Sequence, residues 1–270
     1  MANGVFTFDW NETATQPNTR AEPQAAAQAD ETASPADERP CAARDKYIPH
    51  AFVPTAGACE WWTGDPQSLP YLDPSEEHPY IITRRNLLSE EQCAVLIACF
   101  ERNREKFNHE HETEFWKGRY IWQNGLSGAD NLDAMRILQQ ARLVTQNALT
   151  QFFTPSEPLY SDTAQVVRWH PGLALNAHVD NIEPDGRPNG TPHRTYSSII
   201  YLNDEYEGGE TFFPGHGVRV KPERGLLIAF GAGPDYAHGV SKVTKGLRYT
   251  YAGWFTHDKS WEDAHAMLVF

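Results

Sequence analysis

Between Asn11 and Lys46 the chain has no Val, Ile, Leu, Met, Phe, Trp or Tyr. A segment with nothing apolar to bury cannot offset the entropy of ordering itself. Residues 1–46 therefore read as a disordered N-terminal segment and residues 47–270 as the folded domain, with Phe6, Phe8 and Trp10 as anchors by which the front of the chain could dock. Nowhere is there a run near the roughly 18–20 apolar residues that span a bilayer. The N-terminus also lacks a basic stretch followed by an apolar one, so the reading is of a soluble, cytoplasmic protein. Positive charge is short, with 23 Lys plus Arg against 36 Asp plus Glu and a formal net charge of −13. Nucleic-acid phosphates and anionic membranes demand a cationic face, so neither is expected as a partner. Cysteine is sparse: Cys41, Cys59, Cys93 and Cys99 contain no C-x-x-C pair, and reduced thiols are a better reading than a disulfide framework. No internal repeat is found, and self-association into a homodimer stays open.

The remaining chain is rich in structure signals. Prolines and aromatics between Tyr47 and Tyr80, among them Trp61, Trp62 and Tyr71, suggest an irregular strap. Ser89 and Gln92 form an S-x-x-Q capping box, and Cys93, Leu96, Ile97 and Phe100 recur at helical spacing. A second helix is expected over 131–152, with Leu138, Ala141, Thr145, Ala148 and Phe152 approximating one face. After Tyr160 short β-branched and aromatic runs alternate with Gly, Pro, Asn and Asp. Strands are expected at 164–169, 177–180, 196–202, 210–213, 218–221, 226–230, 237–240 and 247–255. Many short strands without intervening helices indicate a mainly β fold, an antiparallel sandwich or barrel with flanking helices.

His178-Val179-Asp180 is the first pattern whose spacing implies a reaction. On a strand, residues i and i+2 project from one face, so an imidazole and a carboxylate can meet one ion. His238 follows an apolar strand and a Gly-rich bend and supplies a third ligand, completing the two-His, one-carboxylate triad of non-haem Fe(II) sites. Arg248 lies ten residues further on, after a turn-like stretch that would set it on the strand antiparallel to that of His238. A guanidinium near an iron site suits a dicarboxylate, which it grips through two parallel hydrogen bonds. His109 and His111 share an H-x-H spacing but fall in the charged run Glu101–Glu114 and read as solvated surface. His170 and His216 sit in expected turns and are weaker rivals as ligands. Trp254, six residues after Arg248, shares its strand face and is read as a pocket wall. Gly208-Gly209-Glu210-Thr211 reads as a structural turn.

Here the chain resembles the Fe(II)/2-oxoglutarate-dependent dioxygenases, in particular their prolyl 4-hydroxylase-like branch. The resemblance runs from Asn86-Leu87-Leu88-Ser89-Glu90-Glu91-Gln92-Cys93 through Gln165-Val166-Val167-Arg168-Trp169, Pro171-Gly172 and the H-x-D to Tyr201-Leu202-Asn203-Asp204 and Gly208-Gly209-Glu210-Thr211. It ends with His238, Gly246, Arg248 and Trp254. It implies a double-stranded β-helix, or jelly roll, and Fe(II) on His178, Asp180 and His238. It also implies 2-oxoglutarate and O2 as co-substrates, with ascorbate as an accessory reductant, and Arg248 and Trp169 as 2-oxoglutarate-binding residues. Arg248 stands where the branch usually has Lys. Trp169 stands where it usually has Tyr, and residues 181–195 look like a polar insertion. Asp180 departs from the halogenases of the superfamily, which have Gly or Ala there. The compact domain, without a peptide-binding module, favours hydroxylation of an unactivated C–H in a free amino acid or specialised metabolite, with succinate and CO2 as co-products. The alternatives are a prolyl or other peptidyl hydroxylase and a non-catalytic metal-binding jelly roll.

Removing residues 1–45 should leave the cooperative thermal melt and metal binding nearly unchanged. Insolubility, or loss of the cooperative transition, would place Phe6, Phe8 and Trp10 in the core.

Overall fold

The computed structural model of the chain describes residues 61–107 and 115–263. Phe6, Phe8, Trp10, Cys41, Cys59, His109 and His111, and the first part of the strap, lie outside the described residues. The Ser89 hydroxyl accepts from the Gln92 N–H at 3.2 Å, and the Gln92 side chain accepts from the Ser89 N–H at 2.9 Å. This reciprocal cap opens helix α1 (Glu90–Asn103), whose Cys93, Leu96, Cys99 and Phe100 are buried. Cys93 and Cys99 are free thiols, as expected. Helix α2 (Leu132–Phe153) buries Leu138, Ala141, Thr145, Ala148 and Leu149. Phe152 departs from expectation and is exposed. At the last turn Phe153 meets Tyr196 at 4.8 Å instead, so the neighbouring ring is left outside.

Strands, numbered in chain order, form two main sheets. One has the order β1 (Tyr71–Leu72), β9 (Val218–Val220), β8 (Thr211–Phe213), β11 (His238–Val240), β5 (Leu175–His178). The other runs β2 (Ile82–Arg84), β10 (Leu227–Gly231), β6 (Tyr196–Tyr201), β13 (Arg248–Thr256), β4 (Tyr160–Trp169), β3 (Tyr120–Trp122). A small ribbon pairs β12 (Val243–Lys245) with β7 (Glu207–Gly208). The eight expected strand segments all form, displaced at their ends, and β1 to β3, β7 and β12 are additions. The architecture is mainly β with flanking helices around a jelly-roll core.

Side-chain alternation decides what each face of the six-stranded sheet does. Tyr249, Tyr251 and Phe255 of β13 join Ala164 and Val166 of β4, Leu227 and Ala229 of β10, and the buried faces of α1 and α2 in one core. The intervening residues Arg248, Thr250, Ala252 and Trp254 line a cavity between the sheets with Gln165, Val167 and Trp169. A second core of Leu72, Ile81, Tyr201, Phe213, Val220, Leu226, Ile228 and Phe230 seals one end of the sandwich. The helices thus keep one face of the sheet dry and leave the other to chemistry.

Leu138→Ala should lower unfolding free energy by about 2–5 kcal/mol, since it empties a fully buried site. Phe152→Ala should stay within about 0.5 kcal/mol. Urea denaturation of the two variants checks this, and a larger loss for Phe152→Ala would reverse the assignment of the buried face.

Candidate active site

β5 and β11 pair antiparallel with His178 directly opposite His238, and their ring centroids stand 4.4 Å apart. The sequence reading put Asp180 on the same strand as His178, but β5 ends at His178 and Asp180 lies in the bend beyond it. The chain leaves the sheet there because Asp180 is held from outside it. Ser197 of β6 donates to Oδ2 at 2.5 Å, and the Thr191 hydroxyl donates to the Asp180 carbonyl at 2.8 Å. His178 Nε2 ends 3.6 Å from Oδ1 and His238 Nε2 3.8 Å from Oδ2. One ligand atom from each of the three residues lies within 4.8 Å of the others. Among the described residues no other group of three or more His, Cys, Asp or Glu converges in this way.

Both imidazoles are aimed by backbone carbonyls. His178 Nδ1 lies 3.1 Å from the Asn176 oxygen, and His238 Nδ1 3.1 Å from the Tyr236 oxygen. Each Nδ1 therefore carries the proton and each Nε2 presents a lone pair to the centre. Burial, with His178 alongside, pushes the His238 pKa down to about 4 against the pull of Asp180, so this ligand is neutral at physiological pH. Burial opposes ionisation of Asp180, but His238, His178, Arg194 and the Ser197 hydroxyl outweigh it and hold its carboxyl below the usual range. Two neutral imidazoles and one carboxylate are the donor set of a divalent iron site. The His178 side chain is 35% exposed against 7% for His238, so the centre opens to solvent on the His178 side.

Arg248 is fully buried, and its strand lies in the sheet opposite that of His238. This corrects the expected antiparallel pairing of the two strands. β11 pairs with β5 and β8, and β13 with β4 and β6, so Arg248 faces the metal triad across the sandwich. Its Nη2 donates to Thr211 Oγ1 at 3.4 Å and its Nη1 to Thr250 Oγ1 at 3.5 Å, while Nε has no partner. Trp169, its register partner on β4, is buried with its indole N–H also unpartnered. Gly209 makes room for the guanidinium stem, because a Cβ there would lie 2.9 Å from Arg248 Cδ, and its φ of +70° is one that glycine adopts freely. Triad, Trp169 and Arg248 line one cavity of about 430 Å³. Buried donors left unsatisfied are costly, and a carboxylate reaching this end of the cavity would satisfy them. The residues present therefore fit both iron and 2-oxoglutarate.

Trp254 lines the cavity, as read from its spacing. His170 and His216 stand outside the triad. His216 stacks on Tyr80 at a centroid distance of 5.1 Å. Sequence reasoning missed Ser197, Thr211 and Tyr201, whose hydroxyl donates to Thr211 Oγ1 at 2.7 Å. Thr250 was missed as well, although its place two residues after Arg248 on one strand could have shown it, whereas the others are brought in by strand pairing.

Alanine at His178, Asp180 or His238 should each weaken Fe(II) binding at least about 100-fold, and Ser197→Ala about tenfold. Anaerobic calorimetric titration, with thermal melts to confirm folding, checks this. Unchanged affinity in any two of the three ligand variants would sink the metal assignment.

The sequence profile of the 2OG-Fe(II) oxygenase superfamily matches residues 164–256. Human prolyl 3-hydroxylase 3 is 30% identical over 170 residues, 53% of this chain and 22% of the relative. Human prolyl 3-hydroxylase 2 is 29% identical over 204 residues, 64% and 29% respectively. The chain thus matches less than a third of the length of these relatives. Among solved structures, the viral collagen prolyl hydroxylase of Paramecium Bursaria Chlorella virus-1, a 2OG complex, superposes with a TM-score of 0.52 at 20% identity, covering 67% of this chain and 97% of that one. A Trichoplax adhaerens prolyl hydroxylase in complex with a hypoxia inducible factor peptide gives a TM-score of 0.53 at 15% identity, covering 71% and 88%. Residues 164–256, which carry the His-Asp-His triad, thus match the 2OG-Fe(II) oxygenase superfamily profile, and the fold around them is similar to that of these solved prolyl hydroxylases.

Proposed function

We propose that the protein is an Fe(II)- and 2-oxoglutarate-dependent dioxygenase that hydroxylates a prolyl or other residue within a peptide or protein. The observation that carries the reaction class is the placing of unpartnered Arg248 and Trp169 donors in the same cavity as the triad. A jelly roll that merely bound metal would have no use for them. When bound, the iron supplies oxygen activation, coupling the decarboxylation of 2-oxoglutarate to succinate with insertion of one oxygen atom into a C–H bond. The chain's own work is geometric. His178, Asp180 and His238 would hold one face of the ion and leave the other free. Arg248, helped by the Trp169 N–H, would grip the far carboxylate and fix the keto acid end toward the ion. Val167, Leu175, Phe230 and Val240 keep water from the inner cavity.

The substrate class rests on the cavity wall and on the named activities of the relatives. The sequence argument favoured a free amino acid or metabolite because the domain is compact. The similar proteins are prolyl hydroxylases, one bound to a peptide, and they favour the peptidyl alternative. The geometry supports it, because the centre opens on the His178 side and Trp116, Tyr120, Trp122 and Trp254 form an apolar aromatic wall suited to a pyrrolidine ring. The insertion over residues 181–195 delivers Arg194 to the same wall, its guanidinium 3.8 Å above the Trp254 ring. From there it can reach a backbone carbonyl of an extended chain. Its Nε is held by Asp162 at 3.2 Å, which sets its direction.

With Fe(II), 2-oxoglutarate and oxygen, proline-containing peptides should raise succinate output at least about tenfold above the substrate-free rate, and mass spectrometry should show a gain of one oxygen. Oxygen gain confined to free amino acids would overturn the substrate class. Absence of succinate with every peptide and amino acid tried would overturn the reaction class.

A further inference from the structure

Arg119 is a second buried guanidinium that the reading above does not use. It lies just ahead of β3 and is 5% exposed. Its Nη1 donates to the Phe115 carbonyl at 2.5 Å, while Nε and Nη2 have no partner. No carboxylate among the described residues lies within ion-pair distance of it, in contrast to Arg142 on Asp263 and Arg194 on Asp162. Instead its guanidinium carbon lies 4.2 Å from the Phe115 ring centroid, 5.2 Å from that of Trp116 and 4.6 Å from that of Trp169. Burial, with Arg248 nearby, pushes its pKa down to about 10, which still leaves it charged at neutral pH.

Trp169 is therefore shared by two buried cations, since Arg248 lies 5.3 Å from the same ring. An uncompensated buried charge is costly, and two of one sign around a single indole are costlier. Cation–π contact offsets part of that cost and fixes the plane of the ring. An arriving anion would offset the rest. Resting on the 2-oxoglutarate reading, we propose that Arg119 is a positioning residue of the co-substrate site. It clamps the Trp169 indole so that its N–H faces the carboxylate gripped by Arg248, and its charge adds selectivity for dianionic over monoanionic keto acids.

The test titrates keto acids into the anaerobic Fe(II) protein and follows the metal-to-ligand absorption band. 2-Oxoglutarate is compared with 2-oxovalerate, which has the same chain length without the far carboxylate. Arg119→Gln and Arg119→Met should weaken 2-oxoglutarate about tenfold and leave 2-oxovalerate within about twofold, while Arg119→Lys should recover most of the loss. Arg248→Ala should weaken 2-oxoglutarate by about thirtyfold, setting the scale. Equal loss for both keto acids would show a merely structural role and overturn the proposal, as would unchanged 2-oxoglutarate affinity in Arg119→Gln. If the unmutated protein itself gave no band with 2-oxoglutarate, the co-substrate reading would fall and this inference with it.

Discussion

The strand Arg248–Thr256 must satisfy two environments at once, and most of the molecule is arranged around that requirement. It lies between β4 and β6, so its backbone is paired on both edges, and its side chains alternate between the helix-covered core and the cavity. Tyr249 and Tyr251 anchor the outer face, their hydroxyls donating to Glu101 at 2.7 Å and Gln123 at 2.6 Å. With that face locked, Arg248, Thr250, Ala252 and Trp254 have no freedom to turn away from the cavity. A slip of one residue in register would exchange the two sets, burying a guanidinium among leucines.

Charge is distributed along the cavity in the order the chemistry needs. At the open end an ionised Asp180 stands beside a neutral His238, donors that suit a divalent ion. At the closed end stand Arg248, the Trp169 indole and Arg119 behind it. A dianion spanning the cavity would meet positive potential at both ends, and the apolar residues between them lower the local dielectric and strengthen each contact.

Specificity is built from other elements. The polar insertion after the H-x-D is held down where it returns toward β6: Asn181 donates to the Arg194 carbonyl at 3.0 Å, and the Thr191 hydroxyl reaches the Asp180 carbonyl. One short segment therefore both supports a metal ligand and sets Arg194 on the Trp254 ring.

Local chemistry was legible in the sequence because its causes are local. The Ser89 cap, the period of α1, the alternation along β13, and the identity of His178, Asp180 and His238 as ligands all follow from residue type and near spacing. Partners joined by strand pairing were not legible. Ser197 lies 17 residues from Asp180 and Thr211 lies 37 from Arg248, and no spacing rule joins them. For the same reason the sequence misplaced Asp180 on a strand and Arg248 beside the strand of His238. Which sheet a short strand enters is decided by which edge it meets during packing. The burial of Arg119 against Trp169 is a tertiary fact of the same kind: Trp169 lies 50 residues away in sequence, and among the described residues no acid pairs with the cation.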